Sequence, residues 1–437
     1  MISPASAELR ENVLQALRQA APASKGPKSP AGPISPVTET LTPADATVLA
    51  AAVRQAYERR QAVYPVGGGT SLHYGLPRTK PGIALSLAAL NRVLEHAADD
   101  LTVTVEAGIT LAALNRRLAE KQQRLPIDAP EPEKATLGGI IATNACGPRR
   151  HGHGTIGDYL IGFRAIDGRG EAYRGGGKVV KNVAGYNLPR LMVGSLGTLG
   201  VITEATFMVR PLPAYAALVI CDMPGFEQAE ILLAGLGRSP VSPVIVELLA
   251  GPARPECPAP TRPASSAARL VIGFEGTSIE VQAMAGALCD EWKAAGADGL
   301  TTIAGAGVRS ILTWLSASPA IVQINVLPSR LVGLVEQFAK LLPACPLQAH
   351  ASSGMMRIYP PADGSGGVTD RFVELIRITL RPLTAAAGGH LTMLEVPDGM
   401  ELSAADLWGP PRAAAALMGA IRQRFDPAGI LNPGRFL

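Results

Sequence analysis

The stretch Val66-Gly67-Gly68-Gly69-Thr70-Ser71 decides the fold, together with a second one, Thr136-Leu137-Gly138-Gly139-Ile140-Ile141-Ala142-Thr143-Asn144. Each follows a segment that can form a strand. Glycine lets the backbone take left-handed angles and lets a ligand approach the main chain closely. Successive exposed N–H groups then form a concave anion site. Two such loops in one domain suit a ligand with two linked phosphates, which predicts a dinucleotide flavin.

The first stretch by itself is a weak signal. It has neither the G-x-G-x-x-G spacing of a Rossmann fingerprint nor the Lys-Ser/Thr ending of a Walker loop. Taken alone, it also fits an ordinary strand-to-strand turn. The prediction of a phosphate site therefore depends on the motifs that follow it.

Composition limits the alternatives. A chain of 437 residues with 47% hydrophobic content predicts two domains. The net charge is only +4 and the basic residues form no runs, which argues against nucleic-acid binding. The cysteines are scattered without a C-x-x-C pair, so we expect no metal site, iron–sulfur cluster or disulfide framework. They are Cys146, Cys221, Cys257, Cys289 and Cys345.

Four segments are expected along the chain. Residues 1–36 read as an N-terminal helix and a linker rich in Pro and Ser. The first domain is expected over 37–214, the second over 215–412, and a C-terminal helix and tail over 413–437 that return to the first domain. With no apolar run of about 18 residues, we expect a cytoplasmic chain that reaches the inner membrane only through a partner.

Periodicity predicts an α+β fold in both domains. In the first, Thr42 is expected to cap a helix that runs to about Arg60, and alternation predicts strands near 61–66, 101–106, 160–166 and 201–209. The second half alternates strands with single helices, which suggests one sheet with helices on one face.

Further motifs occur in a fixed order after the two glycine stretches. They are Gly147-Pro148-Arg149-Arg150, Lys181-Asn182-Val183-Ala184-Gly185-Tyr186, Arg190-Leu191-Met192-Val193-Gly194-Ser195 and Ile430-Leu431-Asn432-Pro433-Gly434-Arg435. Together the motifs resemble the vanillyl-alcohol-oxidase (PCMH-type FAD-binding) family over roughly residues 40 to 215 and the tail. The finer pattern is most similar to the FAD-binding E subunits of bacterial glycolate oxidase (glycolate dehydrogenase).

The resemblance implies a fold, a cofactor and partners. The fold is α+β: a PCMH-type FAD-binding domain of two α+β subdomains, with an α+β ferredoxin-like cap domain. The implied function is the FAD-binding subunit of a complex that oxidises glycolate to glyoxylate. A homologous catalytic FAD subunit and an iron–sulfur subunit would be its partners, and electrons would pass through flavin to the iron–sulfur subunit.

The FAD contacts of the family carry over by motif to three segments. The first holds the pyrophosphate, the second runs beside the pyrophosphate and isoalloxazine, and the third faces the adenine and ribose. The residues are Pro65, Val66, Gly67, Gly68, Gly69, Thr70 and Ser71; Thr136, Gly138, Gly139, Ile140, Ala142 and Thr143; and Gly197, Gly200, Val201 and Ile202.

The resemblance leaves the catalytic residues unknown. In relatives with a tethered flavin, a histidine occupies the position that Thr70 matches here, so we expect non-covalent FAD; His73 is out of register. His390 lacks the neighbouring residues that would make it a general base. Lys178 and Lys181 are candidates for stabilising charge near flavin N1, or are surface lysines.

Three functions therefore stay open. One is the complex subunit just described. Another is a self-sufficient FAD-dependent D-2-hydroxy-acid (D-lactate-type) dehydrogenase, with the small 2-hydroxy acid held by Arg149 or Arg150 and deprotonated by His390. The last is a non-catalytic scaffold with weak or no FAD. His151 and His153, beside the two arginines, fit a phosphate-neutralising cluster, an acidic-partner site or a solvated turn.

Overall fold

Two units make up the structure, a computed structural model that describes residues 37–76, 78, 80–177, 186–252, 263, 265–305, 308, 320–360, 370–395, 402–411 and 413–435. Unit N contains the described residues of 37–147, 153–212 and 410–435, and unit C contains 148–152 and the described residues of 213–409. The segment 148–152 groups with unit C, although the sequence places it inside the first domain. The expected helix and linker of 1–36 lie outside the described residues.

The strands are β1 (Val37–Leu41), β2 (Ala62–Val66), β3 (Gly82–Ser86), β4 (Val93–Ala97), β5 (Thr102–Glu106), β6 (Gln123–Arg124), β7 (Leu160–Ile166), β8 (Ala172–Gly176), β9 (Val201–Met208), β10 (Arg210–Pro211), β11 (Tyr215–Met223), β12 (Ile245–Ala250), β13 (Ala268–Gly276), β14 (Leu300–Ala304), β15 (Ile321–Asn325), β16 (Leu347–His350), β17 (Met355–Ile358) and β18 (His390–Glu395).

The helices are α1 (Ala46–Glu58), α2 (Leu111–Ala119), α3 (Leu137–Thr143), α4 (Arg150–His153), α5 (Ile156–Tyr159), α6 (Leu188–Met192), α7 (Phe226–Leu236), α8 (Ser278–Ala294), α9 (Pro328–Leu341), α10 (Asp370–Leu375), α11 (Arg381–Ala386), α12 (Ala404–Trp408) and α13 (Ala415–Phe425). A π-helical turn, Ile376–Leu380, joins α10 to α11. Within the described part of the chain, no helix combines the length and the hydropathy needed to cross a membrane.

Unit N contains a parallel three-stranded sheet and an antiparallel five-stranded sheet. The orders are β1-β3-β2 and β4-β5-β9-β7-β8. Alternating residues of β5, such as Val103 and Val105, enter a continuous apolar core that also contains Leu49 of α1 and Leu114 of α2. Helix α1 begins one turn later than expected, because Asp45 rather than Thr42 accepts the backbone N–H of Thr47 at 2.8 Å.

The C-terminal segment of residues 426–435 belongs to unit N. Leu431 pairs in parallel with Val63 of β2 and so extends the three-stranded sheet. The buried Asp426 carboxylate accepts the backbone N–H groups of Ile430 at 3.0 Å and Leu431 at 2.8 Å, which fixes the turn before the pairing. Pairing with β2 and burial of Ile430 and Leu431 in the apolar core hold the segment in place.

Unit C is built from two β-α-β-β-α-β repeats. The first contains β11, α7, β12, β13, α8 and β14, and its strand order is β14-β11-β13-β12. The second contains β15, α9, β16, β17, the α10–α11 helix and β18, and its order is β18-β15-β17-β16. Both repeats therefore have the ferredoxin-like arrangement. Antiparallel pairing of β12 with β16 joins them into one eight-stranded sheet.

The two faces of this sheet differ along two neighbouring register lines. Directly paired residues share a face, and one register line is apolar throughout: Cys221, Leu270, Leu248, Ala349, Met356, Ile324 and Leu391. Helix α8 lies on this face, since Cys289 Sγ is 3.8 Å from Oγ1 of Thr302, the partner of Val219. The next line, on the opposite face, is mainly polar: Asp222, Arg269, Leu249, Gln348, Arg357, Gln323 and Thr392.

We expect the Arg92–Glu106 pair to stabilise unit N in a pH-dependent way. Burial raises the pKa of Glu106, but side-chain and backbone hydrogen bonds from Arg92 outweigh this and lower the net pKa. A lowered pKa in the folded state stabilises above the unfolded value, and the effect is lost as pH falls. Arg92→Met should therefore lower Tm at pH 7 and have a smaller effect at pH 3, because the stabilisation is lost as pH falls through the lowered pKa of Glu106.

Thermal melting by circular dichroism at the two pH values measures this. Arg117→Met is the control, because Arg117 and its partner Glu120 are both exposed and such pairs contribute little. An equal loss of Tm at pH 7 and pH 3 would contradict the linkage.

Candidate functional site

The first glycine stretch directly follows β2 and presents free N–H groups. Among the described residues, none accepts a hydrogen bond from the N–H groups of residues 67–72. Gly69 has φ +77°, a conformation that favours glycine. A turn closes the stretch, with the N–H of Tyr74 donating to the Ser71 carbonyl at 3.2 Å. The first loop thus has the free donors that an anion site needs.

The first loop lies against the segment that precedes α3. A Cβ on Gly67 would be 2.0 Å from Thr136 Oγ1, and a Cβ on Gly68 would be 1.7 Å from the Lys134 carbonyl oxygen. Any side chain at either position would overlap the neighbouring segment. Glycine is required here for the approach of two protein segments, and the two glycine-rich stretches meet at this contact.

The second glycine stretch is a helix, not the loop that the sequence predicts. Thr136 caps α3, and the N–H groups of Leu137 and Gly138 donate to the carbonyls of Ile109 (3.0 Å) and Ala107 (2.8 Å). These groups are therefore not free to bind phosphate. Among the described residues, a Cβ on Gly139 would meet only Thr136 Oγ1, at 3.3 Å. The second segment contributes a side-chain-free surface, and the free N–H groups come from the first loop.

The third segment follows a left-handed turn at Leu196 (φ +52°) and Gly197 (φ +69°). Tyr173 supports it by donating its hydroxyl to the Leu199 carbonyl at 2.9 Å. A Cβ on Gly200 would lie 2.5 Å from that hydroxyl oxygen. Burial raises the pKa of Tyr173, so the phenol stays protonated and remains a donor at neutral pH.

The three segments line one cleft in unit N. The sequence-predicted residues that line it are Pro65, Gly67, Gly68, Gly69, Thr70, Ser71, Thr136, Gly138, Gly139, Ala142, Thr143, Gly197, Gly200, Val201 and Ile202. Two predicted residues do not: Val66 ends β2, and Ile140 is buried in the core. Thr70 lines the cleft and His73 does not appear in its described lining. Lys178 and Lys181 lie outside the described residues.

Two guanidinium groups and one amide complete the cleft, and the site residues expected from the sequence include none of the three. They belong to Arg78, Asn432 and Arg435. The described lining residues include no carboxylate. A positively charged cleft with free N–H groups attracts a doubly charged diphosphate. The tail motif signalled Asn432 and Arg435, but no pattern marked Arg78.

Unit C holds a buried polar pair on the sheet face opposite α8. Nδ1 of His350 is 2.5 Å from Glu247 Oε1, and Gln348 donates to Oε2 of the same carboxylate at 2.8 Å. His350 Nε2 is buried and has no hydrogen-bond partner among the described residues. These residues are about a hundred positions apart, so no spacing in the sequence identifies them. In the described chain, no group of three or more His, Cys, Asp or Glu side chains has a metal-binding arrangement.

The basic segment after the second glycine stretch belongs to unit C. Arg149 Nε donates to Glu275 Oε1 at 2.6 Å, and His151 Nδ1 is 2.6 Å from Ser352 Oγ. Burial lowers the pKa of His151, which favours its neutral form. Arg149 is therefore neutralised within its own unit. His390 begins β18 opposite Asn325, on the same sheet face as His350.

Part of unit N matches a known protein family. Residues 38–176 match the model of the FAD binding domain. FAD is therefore the cofactor of unit N. The match contains the first two cleft segments, while the third segment and the C-terminal residues lie beyond it.

Curated relatives each align over less than half of the chain. The chain is 33% identical over 195 residues to glycolate oxidase subunit GlcD of Bacillus subtilis (45% of this chain and 42% of that protein). It is 36% identical over 177 residues to D-2-hydroxyglutarate dehydrogenase of Xanthomonas citri pv. viticola (40% of this chain and 38% of that protein). It is 38% identical over 162 residues to glycolate oxidase subunit GlcE of Escherichia coli K12 (37% of this chain and 46% of that protein). The chain thus spans less than half the length of each.

A solved structure covers more of the chain. Alkyldihydroxyacetonephosphate synthase superposes with TM-score 0.64 at 19% identity, over 90% of this chain and 76% of that one. At this identity the likeness concerns the fold alone. The expected fold, a PCMH-type FAD-binding domain with an α+β ferredoxin-like cap, is confirmed, and the cap contains two ferredoxin-like repeats.

Gly139→Val should empty the cleft without unfolding the protein. The new side chain would project from α3 where the cofactor has to lie, and we expect FAD affinity to fall at least about tenfold. The control is Gly286→Val, at a helical glycine where an added Cβ would meet nothing within 4 Å in the described part of the chain. FAD titration followed by flavin fluorescence measures affinity, and circular dichroism measures folding. Wild-type affinity in Gly139→Val would show that the cofactor lies elsewhere.

Proposed function

We propose that this protein is an FAD-dependent oxidoreductase that acts on the CH–OH group of 2-hydroxy acids, as the FAD-binding subunit of a glycolate-oxidising complex. The observation that carries the proposal is the cleft of unit N, where three segments with little side-chain bulk meet beside two arginines. The glycolate oxidase and D-2-hydroxyglutarate dehydrogenase relatives support the reaction class, and subunit relatives support a complex.

Different residues of the cleft would contact different parts of the cofactor. The free N–H groups of residues 67–72, with the Thr70 and Ser71 hydroxyls, would bind the diphosphate. Gly139 and Ala142 of α3 would form the surface beside it, and Gly200–Ile202 would contact the far end. When bound, FAD supplies a two-electron acceptor for oxidation of an alcohol carbon. The chain's own contribution is to orient that acceptor and to exclude water around it.

We further propose that FAD is held without a covalent bond. Thr70 occupies the position matched to the tethering histidine of some relatives, and its hydroxyl cannot form such a link under ordinary conditions. His73 does not appear in the described lining of the cleft. The proposed partners are a homologous catalytic FAD subunit and an iron–sulfur subunit that receives the electrons.

A second candidate is a self-sufficient dehydrogenase, which the buried Glu247–His350 pair favours. A carboxylate that orients an imidazole is one feature of a general base, and the buried second ring nitrogen of His350 would have to become accessible to the substrate. The version with Arg149 as the substrate anchor is weakened, because Glu275 already pairs with that guanidinium. His350 is therefore a stronger base candidate than His390 for this second function.

Anaerobic bleaching of the flavin tests both candidates. We expect glycolate to bleach the isolated chain slowly or not at all and to bleach it rapidly once the partner subunits are added. Rapid bleaching of the isolated chain, lost in His350→Gln, would instead establish the second candidate. A purified chain with no flavin spectrum and no FAD binding would leave only the scaffold function.

Acid precipitation tests the mode of attachment. We expect all of the flavin to remain in the supernatant after the protein is precipitated, since no covalent bond holds it. A yellow pellet that retains flavin after washing would contradict the proposal. Thr70→Ala then serves as a check, because it should lower affinity without changing where the flavin is recovered.

A further inference from the structure

The C-terminal segment of residues 426–435 contacts the elements that form the cleft. Its main chain pairs with β2, the strand that leads into the first loop: the N–H of Val63 donates to the Ile430 carbonyl at 2.8 Å, and the N–H of Asn432 donates to the Val63 carbonyl at 2.9 Å. This pairing fixes where the first loop begins. The segment is thus part of the support of the cleft, although the FAD-binding-domain match does not include it.

Arg435 holds the far end of the first loop. Its guanidinium is buried, and its two terminal nitrogens donate to the carbonyl oxygens of Leu72 and Tyr74. The approach is close enough that a Cβ on Gly75 would lie 2.4 Å from the Arg435 carbonyl oxygen. With these carbonyls bound to Arg435, the loop is held while the N–H groups of residues 67–72 stay open to a ligand. Arg435 also lines the cleft and brings a positive charge to it.

Asn432 holds the third segment in the same way. Its side-chain amide donates to the Leu196 carbonyl at 2.8 Å, just before the left-handed turn at Gly197. A Cβ on Gly197 would lie 2.9 Å from that amide nitrogen. Asn432 itself has φ +42°, a region that asparagine tolerates better than most residues. One short segment therefore contacts two of the three cleft segments through two side chains.

We propose that residues 426–435 act as a clamp that assembles the FAD cleft, with Arg435 as the positioning residue, so that docking of the segment and binding of FAD favour each other. This inference rests on the assignment of FAD to the cleft of unit N. Coupling of this kind is reciprocal: whatever factor the docked segment adds to FAD affinity, FAD adds to docking.

Substitutions of Arg435 distinguish the contribution of its hydrogen bonds to FAD affinity from the contribution of its charge. Arg435→Met removes both hydrogen bonds and the charge, and we expect FAD affinity to fall about 30-fold or more. Arg435→Lys keeps the charge but cannot form the planar two-point contact, so it should recover only part of the loss. The control is Arg424→Met, on an exposed side chain of α13. FAD titration by flavin fluorescence measures all three.

A second variant keeps the inference testable if Arg435→Met does not fold. Asn432→Gly removes the amide that binds Leu196 but keeps the positive φ accessible. We expect it to fold and to bind FAD at least about fivefold more weakly than the wild type, a loss consistent with one buried hydrogen bond.

Hydrogen exchange measures the coupling from the other side. FAD should slow exchange at the Ile430–Asn432 amides of the full chain more than at Thr102–Glu106 in the five-stranded sheet. A purely structural role of the segment would give no such difference. In Arg435→Met, saturating FAD should no longer protect the segment selectively.

The outcomes separate this inference from the proposed function. Wild-type FAD affinity in Arg435→Met and Asn432→Gly, or uniform protection by FAD, would overturn the clamp while leaving the flavoprotein intact. A wild-type chain that binds no FAD would overturn both.

Discussion

The cleft of unit N depends on one close approach. Gly67 and Gly68 pass the Lys134–Thr136 segment so tightly that neither position has room for a Cβ. Because that contact brings the first loop beside the N-terminal end of α3, it defines where a diphosphate can lie. A side chain at either glycine would separate the two segments. The free N–H groups of the first loop would then no longer lie beside α3, and the cleft would lose one of its sides.

The remaining elements support this contact from different directions. Ala107, which directly follows β5, accepts the N–H of Gly138, so the five-stranded sheet fixes α3. Tyr173 on β8 positions the third segment through Leu199. The C-terminal segment extends the three-stranded sheet through Val63. The geometry of the cleft therefore depends on the local glycine-rich sequence and also on hydrogen bonds between residues that are far apart in the sequence.

Much of this can be predicted from sequence, for reasons that also explain the errors. Strands with strong alternation, such as β5 and β7, lie within a residue or so of their predicted bounds. Strands β1 (Val-Thr-Glu-Thr-Leu) and β4 (Val-Leu-Glu-His-Ala) have no buried residue, and their short patterns do not distinguish them from loops. The sequence predicts a loop at α3 because two glycines disfavour a helix. The Thr136 cap and the burial of the apolar side of α3 override that preference. The Glu247–His350 pair depends on the β12–β16 register, which nothing in the local sequence encodes.

We propose that FAD binding in unit N depends on recognition of the diphosphate by the main chain of the first loop, and comparing FAD with riboflavin tests this most directly. Equilibrium titration of the flavin-free chain with each compound isolates the diphosphate and adenosine, and competition by ADP isolates the diphosphate end. We expect riboflavin to bind at least about 100-fold more weakly than FAD and ADP to displace FAD, because the loop's charge-assisted hydrogen bonds need the phosphates. Equal affinity for riboflavin and FAD, with no competition by ADP, would contradict main-chain recognition of the diphosphate.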